Sequence, residues 1–263
     1  MSDYKSKVAE AYAGGREAGR AAEAGTYGLE FLYTKRALDP HITSDADVVE
    51  LGCGGGYYGL YYAGRCKSYL GIDLSPVNIE AFQQQIAERG LVNVRAEIGD
   101  ATELAGIPDE AFDVVLCLGP MYHLDREDRQ RCMRACKRVC KPGGIIALAY
   151  INKAGAIAKF GIAYGWDKVF TQRIDEYVLT RGTDDVRMDV FFYTMPEELE
   201  EDARNAGLDV LASKGLDFLI FENTIETMGD GQRATLFHFM DLIHESPSCA
   251  GLANHALLLC RKA

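Results

Sequence analysis

The sequence predicts an α/β protein with a doubly wound, Rossmann-like, mostly parallel sheet, an antiparallel last strand, an N-terminal helical extension and an inserted cap. Three observations carry this. Short apolar runs alternate with longer amphipathic stretches from about residue 46 to 151. Several runs are apolar almost throughout, as in Val114-Val115-Leu116-Cys117-Leu118, which marks a strand covered on both faces. The first run ends at Gly52-Cys53-Gly54-Gly55-Gly56, a glycine-rich turn that leads into a helix pattern.

The elements follow in order. Residues 1–45 read as N-terminal helices and 46–151 as a core of alternating strands and helices. Strands are expected at Asp47–Leu51, Tyr69–Asp73, Val94–Ile98, Phe112–Leu118 and Ile145–Ile151. A helix from Tyr57 to Cys66 follows the glycines. Ser75 caps the next one, Pro76 takes its first position, Ile79, Phe82 and Ile86 share a face, and Gly90 stops it. Arg126–Cys140 is a further helix, ended by Lys141-Pro142-Gly143-Gly144. Residues 152–195 form the predicted cap, holding eight of the 26 aromatics; a lid over an aromatic pocket and ordinary packing of an inserted segment both account for them. Residues 196–263 complete the sheet. There Thr194 and Glu197 make a capping box for a helix ending at Gly207, strands are expected at Leu208–Ala212, Leu216–Phe221 and Ala256–Arg261, and a helix pattern spans Ile225–Glu245. The whole chain reads as one domain.

Composition narrows the function. With 28 basic and 39 acidic residues the net charge is −11, which argues against a partner gripped through many phosphates. The start has no apolar h-region and no stretch is long enough to span a membrane, so a cytoplasmic location is expected. Eight cysteines with no C-x-x-C pair do not make a disulfide scaffold or zinc ribbon. Cys132, Cys136 and Cys140 fall on one helix face and read as small buried hydrophobes rather than metal ligands. The basic residues Arg126, Arg129, Arg131, Arg134, Lys137 and Arg138 read as a solvated face.

Glycines at a strand-to-helix turn admit positive φ and let a ligand approach the main chain, while helix-start N–H groups favour an anion. Two fingerprints overlap here. G-x-G-x-x-G can be placed on Gly54, Gly56 and Gly59, with Asp73 nineteen residues after Gly54, as in dinucleotide folds. The glycine that directly follows the strand is Gly52, however, and from it the third position is Tyr57. A pattern of acid-x-G-x-G-x-G on Glu50, Gly52, Gly54 and Gly56 fits without a shift. No Gly-Lys-Ser/Thr follows, so a P-loop is excluded.

Over residues 46–151 the chain resembles the class I S-adenosylmethionine-dependent methyltransferases of the small-molecule type. The resemblance rests on Glu50-Leu51-Gly52-Cys53-Gly54-Gly55-Gly56, Gly71-Ile72-Asp73-Leu74-Ser75, Gly99-Asp100-Ala101, Phe112-Asp113-Val114-Val115, Leu118-Gly119-Pro120-Met121-Tyr122-His123-Leu124 and Lys141-Pro142-Gly143-Gly144. It implies S-adenosylmethionine as cofactor, S-adenosylhomocysteine as product and a small-molecule methyl acceptor; from the acidic balance and the lack of a membrane span no nucleic-acid or membrane partner is expected, and no metal is assigned. The resemblance implies that Gly52, Cys53, Gly54 and Gly56 surround the methionine part, that Asp73 binds both ribose hydroxyls, and that Leu74 packs on the adenine. Asp100 and Ala101 would meet the adenine amino edge, and Leu118, Gly119 and His123 would line the cofactor near the sulfonium. Glu50 would hold the glycine loop.

His123 is also the candidate catalytic residue, since an imidazole suits proton transfer near neutrality; a histidine that packs beside the cofactor is the alternative. In-line methyl transfer leaves a neutral thioether, so alignment alone contributes much of the rate. The N-terminal helices would close over the cofactor, with Arg20 or Tyr27 in reach. The alternatives are an NAD(P)-dependent oxidoreductase, a non-catalytic cofactor-binding protein of the same fold, and methylation of tRNA, rRNA or protein, which the acidic balance disfavours. The acceptor, the atom methylated and the oligomeric state are not written in the sequence.

Overall fold

The computed structural model describes residues 7, 8, 10, 12, 28–169, 190–218 and 222–263. Among the described residues eight strands form one sheet: β1 (Asp47–Leu51), β2 (Ser68–Asp73), β3 (Val94–Ile98), β4 (Phe112–Cys117), β5 (Cys140–Asn152), β6 (Tyr193–Thr194), β7 (Leu208–Gly215) and β8 (His255–Lys262). Their order is β3-β2-β1-β4-β5-β8-β7, and β6 adds a short parallel pairing to the end of β5. The first five pair in parallel; β8 runs antiparallel to both β5 and β7. The glycine loop therefore leaves β1 at mid-sheet, with β2 on one side and β4 on the other. Ligands of open sheets sit at such carboxyl ends.

Helices cover both faces. Val48, Val114, Leu116 and Ala147 point to one face, where they meet α1 (Leu29–Leu38), α2 (Tyr57–Tyr62) and α3 (Pro76–Glu88). Val49, Leu51, Val115, Cys117, Ile146 and Leu148 point to the other and meet α4 (Arg126–Val139) and α7 (Pro196–Asn205). Between α4 and α7 lie α5 (Lys153–Tyr164) and α6 (Trp166–Val169); α8 (Glu222–Glu226), α9 (Asp230–His244) and α10 (Pro247–Ala250) precede β8. Cys132, Cys136 and Cys140 are fully buried in the second face, with the Cys132 thiol 3.7 Å from that of Cys117. No described helix is long and apolar enough to cross a membrane.

Ser75 caps α3 as expected, its hydroxyl accepting the Asn78 N–H, and Pro76 stands first in the helix. Other boundaries moved, each for a local reason. Lys141-Pro142-Gly143-Gly144 is not a stop between helix and strand but a bulge inside β5: pairing skips from Phe112↔Cys140 to Val114↔Ile145, with Gly143 at φ 75°. The cap of α7 is Met195 rather than Thr194, because Pro196 takes the first helical position and the Glu198 carboxylate accepts the Met195 N–H at 2.9 Å. Thr194 instead pairs with Asn152. The expected strand over Leu216–Phe221 is absent at 216–218, where Phe218 takes φ 44°, and its end lies outside the described residues. The pattern over Ile225–Glu245 is two helices broken near Gly229. The helix after the glycines stops at Tyr62 rather than Cys66. Arg129 is buried and donates to the Leu124 carbonyl, and Arg126 pairs with buried Asp202, so the basic face of α4 is partly internal.

Candidate cofactor and acceptor site

The loop after β1 is built by backbone geometry before any side chain enters. The N–H groups of Gly52 and Cys53 both donate to the Ile72 carbonyl, and Gly54 N–H donates to the Asp73 carboxylate at 2.9 Å. Gly52, Gly54 and Gly56 have φ of 72°, 52° and 87°. A Cβ at Gly52 would stand 2.7 Å from Pro120 Cδ and 3.0 Å from Gly119 Cα, so the loops after β1 and β4 touch backbone to backbone. Gly56 does a different job. A Cβ there would lie 2.0 Å from the ring of Phe82, and Gly59 and Gly71 are pressed on the same ring. These three glycines seat α3 on the sheet.

Beside the loop lies a cavity of about 610 Å³, the size of a small-molecule site. Of the residues expected to hold a cofactor, Glu50, Gly52, Cys53, Gly54, Asp73, Leu74, Asp100, Ala101, Leu118, Gly119 and His123 all line it. Gly56 does not. Asp73 is held by three donors: Gly54 N–H on Oδ2, and Ser75 N–H with the Asn78 amide on Oδ1. Next to it, Asn78 Oδ1 is buried without a partner and Asn78 lines the cavity. An ionised carboxylate can accept about four hydrogen bonds, so this corner still has room for ligand donors. Asp100 turns one oxygen to the Thr102 N–H and hydroxyl, which fixes the turn after β3. Glu50 is buried, accepts the Tyr69 hydroxyl at 2.6 Å, and burial pushes its carboxyl up to about 8. The nearby Asp73 charge acts in the same direction, against the Tyr69 hydrogen bond.

His123 closes a short 3-10 turn, Pro120–His123, after β4. Its Nδ1 lies 2.8 Å from the Val190 carbonyl. A carbonyl cannot donate, so Nδ1 carries a proton; the Tyr12 hydroxyl lies 2.9 Å from Nε2, which in that tautomer is an acceptor. Phe191 packs on the ring at 4.9 Å and Tyr122 at 4.8 Å. Residues from both the N-terminal stretch and the 152–195 segment thus reach His123. Arg20 and Tyr27 lie outside the described residues. Sequence reasoning did not single out Tyr12, Asn78 or Glu30, all of which line the cavity. Asn78 had a signal, standing three residues after the Ser75 cap; Tyr12 and Glu30 had none, because only the fold brings them to the strand ends.

Such a site defines a class: a doubly wound protein with a hydrogen-bonded acid at a strand end and an imidazole on the wall of the same cavity. Residues 48–144 match the family described as a methyltransferase domain. The ubiquinone biosynthesis O-methyltransferase of Stutzerimonas stutzeri is 32% identical over 186 residues, which cover 69% of this chain and 72% of that one. That of Neisseria meningitidis serogroup A is 29% identical over 183 residues, 67% of this chain and 69% of the relative. The chain belongs to the class I S-adenosylmethionine-dependent methyltransferases.

Solved structures agree on the fold. An S-adenosylmethionine-dependent methyltransferase from Mesorhizobium loti superposes with TM-score 0.57 at 15% identity, over 89% of this chain and 98% of that one. The [4+2]-cyclase SpnF gives 0.59 at 20% identity, over 89% and 80%. A cyclase on this fold shows why chemistry must be argued from the site. An oxidoreductase is not favoured: Gly56 and Gly59, two of the three glycines a dinucleotide loop would use, pack on Phe82.

Proposed function

We propose that the protein methylates a hydroxyl of a small-molecule acceptor, with S-adenosylmethionine held along the strand ends from β1 to β4. The observation that carries this reading is that the Asp73–Asn78 corner and the Tyr12–His123 pair line one cavity. Relatives named O-methyltransferases support oxygen as the acceptor atom.

When bound, S-adenosylmethionine supplies a methyl group on a sulfonium whose leaving group is a neutral thioether. The chain's own residues do the rest. Asp73, with Asn78 beside it, takes the ribose hydroxyls. Leu74 packs on the adenine, and Asp100 and Ala101 meet its amino edge. Gly52, Cys53 and Gly54 bring bare backbone against the methionine part, while Leu118 and Gly119 wall the reacting end. His123 Nε2 takes the proton of the acceptor's hydroxyl from the position where the Tyr12 hydroxyl now hydrogen-bonds to it; the Val190 carbonyl, facing Nδ1, holds the ring in the tautomer this requires. The described part of the cap, at Val190 and Phe191, screens His123 from water.

The test is turnover. Purified protein with S-adenosylmethionine carrying a labelled methyl group is expected to label members of a panel of phenols and catechols. Asp73→Ala should weaken S-adenosylhomocysteine binding at least about tenfold, the loss of one or two charge-assisted hydrogen bonds. Label passing only to amines or thiols, or an unchanged affinity in Asp73→Ala, would overturn the corresponding half of the reading.

A further inference from the structure

Glu30, Asp217 and His255 come from distant parts of the chain and meet beside the cavity, Glu30 on its wall and the other two behind it. Glu30 stands in the first turn of α1 and lines the cavity. His255 opens β8 opposite Ile151, at the edge where the parallel strands end. Asp217 lies two residues beyond β7 and is buried. Its Oδ1 accepts the N–H groups of Asn254 at 2.8 Å and His255 at 3.2 Å, and its Oδ2 accepts from His255 Nδ1 at 2.8 Å. With Nδ1 committed to Asp217, the far side of the ring faces Glu30, Nε2 to Oε2 being 3.9 Å. Lys159 stands 3.8 Å from Asp217, and the Asn254 amide lies against the ring at 3.0 Å.

Burial opposes charge on both Asp217 and His255. Even so, the His255 charge and hydrogen bonds hold Asp217 below its ordinary range, and Glu30 with Asp217 lift His255 above its own. Two carboxylates, an imidazolium and an ammonium make a neutral group, which is how a buried charge cluster avoids a large desolvation cost. Pinning α1 to the sheet would account for a buried pair. It does not account for an acid on the cavity wall next to aromatic residues: Phe31 packs on Tyr57 at 4.3 Å and Tyr58 at 5.7 Å, and all three line the cavity with Glu30.

We propose that Glu30 accepts a hydrogen bond from a hydroxyl-bearing aromatic acceptor, and that His255 and Asp217 are positioning residues that aim its carboxylate into the cavity. This rests on the methyl-transfer reading above and assigns the acceptor side of that site. An aromatic ring would slot against Phe31 and Tyr57 while a second hydroxyl, not the one whose proton His123 takes, meets Glu30.

The experiment takes a catechol that the wild-type protein methylates and compares Glu30→Gln, Glu30→Asp and His255→Asn. Glu30→Gln should raise the acceptor KM about tenfold or more, leave S-adenosylhomocysteine affinity unchanged, and be partly rescued in Glu30→Asp. In the wild type the acceptor KM should climb as pH rises through the His255 transition, and in His255→Asn it should be high and flat. A wall that only pins α1 would lower the melting temperature without splitting KM from kcat. An unchanged acceptor KM in Glu30→Gln overturns the proposal, as does an equal loss of S-adenosylhomocysteine affinity, which would give Glu30 to the cofactor. A wild type that methylates no hydroxyl overturns the functional reading first and this one with it.

Discussion

At the scale of single residues, Glu50 carries a cost that its neighbours only partly offset. The unfolded chain gives up a glutamate proton near pH 4.3, about the ordinary value, whereas burial holds it on Glu50 to about 8. Between those limits the folded state binds more protons than the unfolded one, so stability falls as pH rises, by roughly 1.4 kcal/mol per unit at most. Glu50→Gln keeps an acceptor for the Tyr69 hydroxyl and removes this slope. Its melting temperature should decline less than that of the wild type between pH 5 and 8; parallel curves would place the slope elsewhere. The acid-glycine spacing made Glu50 visible in the sequence. That it is buried was not visible, because burial depends on Tyr69 arriving from β2.

At the scale of elements, one aromatic ring organises the glycine loop. Phe82 of α3 fills the hollow left by Gly56, Gly59 and Gly71, which belong to the loop, α2 and β2. Phe82→Ala should therefore cost about 3–5 kcal/mol and lower the melting temperature by roughly ten degrees, readable by calorimetry. A loss of only a degree or two would mean the surrounding elements close over the gap. The parallel half was legible because its strands are short and apolar, and its helices carry local punctuation such as Ser75-Pro76 and Gly90. The second half was read less well. Its boundaries depend on a bulge at Gly143, a proline that shifts a cap by one residue and a positive φ at Phe218, none of which periodicity reports.

At the scale of the whole molecule, ligands should act on the fold as one cooperative unit. S-adenosylhomocysteine at a hundred times its dissociation constant would add about 2.7 kcal/mol and raise the melting temperature by several degrees. NAD and NADP should leave it where it is, and a shift with either would return the glycine loop to the oxidoreductase alternative. The cavity that ligand would fill is lined from two sources. Residues 50–124, where we propose that the cofactor lies, supply most of its wall, whereas Tyr12, Glu30, Phe31 and Thr34 come from the N-terminal segment and Ala149 from the end of β5. Cofactor chemistry was therefore readable as local motifs, and acceptor chemistry was not, since it is assembled across the length of the chain. That division separates two inheritances in one chamber: substitutions in the outer segments can retune which molecule is methylated while the donor apparatus stays untouched, so the scaffold can acquire new customers without relearning its trade.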